Sequence, residues 1–169
     1  MKRQILTTYA MTLEQAKKLV AEVPNDRFAE MPFDEAKHPG WVLGHLCVGS
    51  DMMLQHLTHP TVADPGLAFV PESWAASAMP GVAVSGERGA FAEKDELLVT
   101  LEDLHMKLSI AFDTASDELL DTPFPNPEYR SFFPTIGDAS CYLMAYHEGY
   151  HLGQLSSWRR AAGFGPAPE

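Results

Sequence analysis

Two histidines four residues apart, His147 and His151, stand in the stretch Tyr146-His147-Glu148-Gly149-Tyr150-His151-Leu152-Gly153-Gln154. On a helix that spacing puts both imidazoles on one face about one turn apart, close enough to share a metal ion. Two imidazoles rarely hold a metal tightly, so the chemistry turns on a third ligand. His45 is the candidate. On a second helix it shares a stripe with Trp41, Gly49, Met52 and His56. His56 lies about 16 Å further along that helix at 1.5 Å per residue, so one ion cannot take both. His38 and His59 flank the helix in loop-like sequence, and His105 sits at the edge of another apolar stripe; all three read as solvated or hydrogen-bonded structural residues. Cys141 falls roughly 240° around its helix from His147, which argues against it as a ligand.

Three inward histidines are hard to explain as packing. Each ring needs a partner for both nitrogens, and an unmet one costs about 1–3 kcal/mol. A metal takes one nitrogen of every ring, and an outer acceptor can take the other. Three neutral ligands would leave open positions, the arrangement of a catalytic rather than a structural site. Water or a thiol bound there loses its proton near neutral pH. One divalent ion per chain is expected. The ligand type favours Zn or Ni, and imidazole also accepts Fe, Co, Cu or Mn. Glu148, Tyr150 and Gln154 are close enough in sequence to help orient a bound molecule; Tyr146 lies about 100° away from His147 around the helix.

His147-Glu148-Gly149-Tyr150-His151 also matches the H-E-x-x-H pattern of zinc peptidases, in which the glutamate is the general base. Those enzymes usually take a third ligand from downstream. Only 18 residues follow His151, with no His or Asp among them and Glu169 as the one Glu. No strand pattern flanks the motif. Glu148 is then either a residue behind the ligands or a surface one.

Positioning these side chains requires helices. Leu6, Tyr9, Leu13, Ala16, Val20 and Val23 mark one amphipathic face from about Gln4 to Val23. Arg27 to His38 is a connector with about one helical turn. Pro39 or Gly40 opens a second helix that reaches roughly Leu57. Pro60 to Phe91 carries four prolines and four glycines without a sustained period, which marks a long loop with a short turn at Glu72-Ser73-Trp74-Ala75. Loops of that length often serve as lids or walls. A third helix spans about Lys94 to Ser116 on the stripe Leu97, Leu101, Leu104, Leu108, Ala111 and Ala115. After the connector Thr122 to Pro127, Thr135 can cap a fourth, Ile136 to about Ala162, with Gly163 to end it. The expected fold is an all-α four-helix bundle with long connecting loops, one domain over residues 1–169.

The chain carries 23 acidic against 12 basic residues, a formal charge of −11. Such an acidic surface argues against nucleic acid and against anionic membrane as partners. Two cysteines make no disulfide framework, and the interrupted N-terminal segment fails as a signal peptide. With no stretch of ~18 apolar residues, the expected location is the cytoplasm.

Trp41-Val42-Leu43-Gly44-His45-Leu46 resembles the W-x-x-x-H segment on the second helix of the DinB-like superfamily. His147-x-x-x-His151-x-x-Gln154 resembles that superfamily's motif on the fourth helix. The likeness extends over nearly the whole chain, including the central loop with Pro71 and Trp74 and the Trp158-Arg159-Arg160 end of the last helix. It implies a four-helix bundle that binds one divalent metal through His45, His147 and His151, often as a homodimer. Characterised members include metal-dependent transferases and isomerases that use small thiols such as bacillithiol or mycothiol. The function expected is therefore a thiol-dependent S-transferase acting on a small molecule. A metal-dependent hydrolase and a non-catalytic metal-binding bundle stand as the alternatives.

Overall fold

A computed structural model of the chain describes residues 2–168. Among the described residues the structure is helical, with one isolated bridge between Pro123 and Thr135. The segments are α1 (Lys2–Val20), α2 (Pro39–Thr58), α3 (Glu72–Ala78), α4 (Lys94–Thr114), α5 (Asp117–Leu120), α6 (Ile136–Cys141) and α7 (Glu148–Ala161). A π-helical stretch, Tyr142–His147, joins α6 to α7 without a break. The three long helices and this composite rod close on one another in a ring: α2 packs on α4, α4 on α1, α1 on α7, and α7 on α2.

α2 is the hub. Every residue from Pro39 to Leu57 except Met52 is buried, so the helix has no solvated face. A helix buried all round belongs in a core, and with buried polar residues such as His45, Ser50, Asp51, Gln55 and His56 among its apolar ones it shows only a weak amphipathic signal. Pro39 stands at its first turn, where a missing N–H costs nothing, and the His38 side chain accepts from Trp41 N at 3.2 Å as the cap. The expected stripe of α4 forms as read, with Leu97, Leu101, Leu104 and Leu108 at most 1% exposed. That helix stops at Thr114, and Ser116 instead caps the short α5, accepting from Leu119 N. Likewise α1 ends at Val20, although Val23 stays buried just ahead of Pro24.

Two connections differ from expectation. The long loop contains a seven-residue helix, α3, rather than a single turn, and Trp74, Ala75 and Ala78 bury its inner face. The loop is tied to α2 through Asp51, which is fully buried. One carboxylate oxygen accepts the backbone N–H groups of Ala68, Phe69 and Val70 at 3.0, 2.7 and 2.9 Å; the other accepts from Gln55 at 3.0 Å. The second difference is the π stretch. The fourth rod reads as one continuous α-helix, but an i→i+5 segment admits an extra residue per turn and turns what precedes it relative to α7. Thr135 and Asp138 form the capping box that starts this rod. No helix is long and apolar enough to cross a membrane among the described residues.

Candidate metal centre

His45 comes from the middle of α2, His147 from the last position of the π stretch and His151 from the first full turn of α7. His147 Nε2 lies 3.1 Å from His45 Nε2 and 3.1 Å from His151 Nε2. All three ligand atoms fall within 4.8 Å of one another. Nitrogens bound at 2.0–2.1 Å to one ion stand about 2.8–3.4 Å apart for right-angled to tetrahedral geometry, so the two 3.1 Å spacings fit a single metal.

The far sides of two rings decide which nitrogen faces inward. His45 Nδ1 donates to the Ala78 carbonyl at 2.8 Å, and His151 Nδ1 donates to Gln154 Oε1 at 2.8 Å. A proton held there leaves each Nε2 with its lone pair toward the centre. A proton on His147 Nε2 satisfies one of its neighbours; a cation satisfies all three. Burial also keeps the rings uncharged. It holds His147 down at about 3, with His151 and His45 adding to the effect, and His151 at about 4. His45 is lowered too, by burial first and then by the charge of Lys37. Neutral imidazoles at pH 7 are what a metal requires.

Glycine allows two close approaches. A Cβ on Gly44 would sit 3.0 Å from Ala78 Cβ, so only glycine beside His45 lets the end of α3 come near enough to offer its carbonyl. A Cβ on Gly49 would meet Leu143 at 3.2 Å and the His147 ring at 3.5 Å. The Trp41 ring stacks on His45, with centroids 4.5 Å apart and planes at 13°.

Beside the histidines opens a cavity of about 480 Å³, lined by Glu35, Lys37 and Trp41, by loop residues Pro80 to Ala83, and by His45 and His151. The long loop thus supplies one wall through Pro80 to Ala83. Trp74 does not contribute to it: its ring is buried, its Nε1 donates to Glu96 at 3.1 Å, and it borders a separate depression.

The other candidates separate cleanly. Gln154 touches the site through His151. Glu148 is not on the surface; at 2% exposure it points to α4 and α1, where Oε1 meets His105 Nε2 at 2.8 Å and Oε2 accepts from Thr12. His105 stacks on Tyr9 at 3.7 Å, and Tyr9 bonds Ser50 at 2.9 Å, so a buried polar chain backs the rod that carries His147. Tyr146 and Tyr150 are mainly exposed and stack in series with Tyr142, although the Tyr150 ring stands 5.1 Å from that of His151. His38 is buried and bonds the Ser85 carbonyl at 2.8 Å; His56 packs on Phe124, and Cys141 is exposed. Sequence reasoning missed Ala78, whose contribution is a backbone atom, and Lys37, which sits in the connector.

A family model described as the DinB superfamily matches residues 8–155, a span that includes all three histidines. No curated protein and no solved structure matches the chain.

Proposed function

The chain belongs to the DinB superfamily, and from that premise we propose that it binds one divalent metal ion through His45, His147 and His151 and acts as a transferase using a low-molecular-weight thiol. The observation that carries this reading is the convergence of three inward Nε2 atoms beside a cavity large enough for a small molecule. Zn or Ni suits three imidazoles best. When bound, such an ion supplies a Lewis acid that lowers the pKa of a coordinated thiol or water.

The remaining work falls to the chain's own residues. Ala78 and Gln154 hold protons on the outer nitrogens and keep two inner lone pairs free. Loop residues 80–83 and Trp41 form the wall beside the two histidines. Its lining includes no Ser, Thr or Cys, and Glu35 and Lys37 are its titratable groups besides the two histidines. With no hydroxyl or thiol in the wall, a serine or cysteine mechanism has no nucleophile there, which favours one that arrives as a ligand, such as an external thiol. A hydrolase of the H-E-x-x-H kind is disfavoured, because Glu148 is committed to His105 and Thr12.

Cobalt-substituted protein tests the proposal. A small thiol such as 2-mercaptoethanol should add a sulfur-to-cobalt charge-transfer band, and His151→Ala should lose it. A spectrum unchanged at saturating thiol would remove the transferase reading and bring a hydrolase or plain metal binding forward.

A further inference from the structure

Lys37 is the one cation lining the cavity, and its position is built rather than incidental. Its neighbours Ala36 and His38 are both fully buried, and His38 ties the segment to the long loop through Ser85 and to α2 as its cap. Two residues earlier the chain turns through a left-handed conformation at Glu35, φ 59°, a backbone shape that non-glycine residues seldom adopt. Lys37 Nζ stands over the Trp41 ring at 4.4 Å, and that ring stacks on His45 at 4.5 Å. The ammonium is therefore two short steps from the candidate metal centre.

Beyond the Trp41 ring, the ammonium has few polar partners. Four of the other five lysines are engaged: Lys2 donates to the Ala115 carbonyl, Lys94 to the carbonyls of Val20, Ala21 and Val23, Lys107 to Asp103, and Lys17 pairs with Glu102 at 2.8 Å; the exposed Lys18 lies away from the cavity lining. Lys37 has only Glu35 at 4.0 Å, a side chain 66% exposed, and no hydrogen bond to protein among the described residues. In a chain of charge −11, with carboxylates in wide excess, this ammonium beside a cavity has no carboxylate within hydrogen-bond distance among the described residues. A metal held by three neutral rings adds to the positive field on the same side.

We infer that Lys37 reads a negative charge on the ligand: the cavity takes a small molecule with one end at the three-histidine centre and an anionic group on Lys37. This rests on the thiol reading only for the identity of the metal-facing end. The anchor would orient the ligand and select anionic molecules over neutral ones of equal size.

The test uses cobalt-substituted protein and two thiols that differ in charge, 3-mercaptopropionate and its methyl ester, titrated by the charge-transfer band. Some preference for the acid comes from the metal itself, so the quantity to read is the acid-to-ester affinity ratio. Lys37→Met and Lys37→Gln should lower that ratio about tenfold, the usual strength of a charge-assisted contact. Lys37→Arg should keep it, and cobalt should remain at one per chain in all three variants. A ratio unmoved by both neutral substitutions overturns the inference and leaves the thiol reading intact. If neither thiol produces a band, the thiol reading falls, and lactate against lactamide, followed in the cobalt ligand-field bands, decides the inference. Lactate binding that depends on Lys37 sustains it, and lactate binding no better than lactamide, or equal in the variants, overturns it.

Discussion

At the scale of single residues, the site is aimed by atoms on the outer side of the rings. Gln154 is the clearest case, because its one contact with the centre is the bond to His151 Nδ1. Outer partners of this kind typically account for 10–100-fold in metal affinity. Gln154→Ala should therefore weaken metal binding by about tenfold or more in a competition titration against a chromogenic chelator, with the stoichiometry unchanged. Equal affinities would mean that the bond does not orient the ring. A second expectation concerns acid. The folded protein keeps His147 and His151 neutral down to about 3 and 4, whereas an unfolded imidazole takes up its proton near 6.5. Between those values the unfolded state binds more protons, so this contribution to stability is fully present above pH 6.5 and is lost as the pH falls toward 4. Urea midpoints of the metal-free protein should drop more between pH 7 and pH 5 in wild type than in a His147→Gln, His151→Gln double variant. Parallel curves would contradict the burial-based account.

At the scale of elements, the π stretch and the buried Glu148 belong together. Glu148 follows His147 directly, and it points toward α4 and α1 while the histidine points toward α2. The carboxylate thus anchors the rod that presents the histidines. Glu148→Ala strands His105 without its buried partner and should cost about 1–3 kcal/mol in chemical denaturation, the range for leaving a buried hydrogen-bonding group unmet. One metal per chain should still bind. Lost activity with stability unchanged would instead give Glu148 a role in the chemistry. The three histidines are legible in the sequence because helical spacing and an apolar stripe suffice to place them. The π stretch is not, since Tyr142 to His147 is compatible with an ordinary helix, and the extra residue is set by how α6 and α7 meet the rest of the ring. The partner of Glu148 could have been found: His105 adjoins Leu101, Leu104 and Leu108 on α4, and a buried imidazole calls for an acceptor.

At the scale of the whole molecule, the candidate centre joins two rods that are far apart in sequence, α2 through His45 and the composite rod through His147 and His151. The all-α architecture follows from four long helical patterns, and the match to the DinB superfamily over residues 8–155 agrees with it. The cavity was harder to read. Its wall is built from Glu35, Lys37, Trp41 and residues 80–83, brought together by His38, by Asp51 and by the glycine beside His45, none of which has a local periodic signal. A ligand that binds only the folded state adds RT ln(1 + [L]/Kd) to stability, about 4 kcal/mol at a thousandfold excess over Kd. A metal bridging the two rods would act in this way.

The most direct test of the central claim is metal stoichiometry by elemental analysis after dialysis against a divalent ion. The account predicts one ion per chain for wild type and for His56→Ala. It predicts no stoichiometric ion for alanine at His45, His147 or His151. Full occupancy retained in His45→Ala would contradict the three-histidine centre.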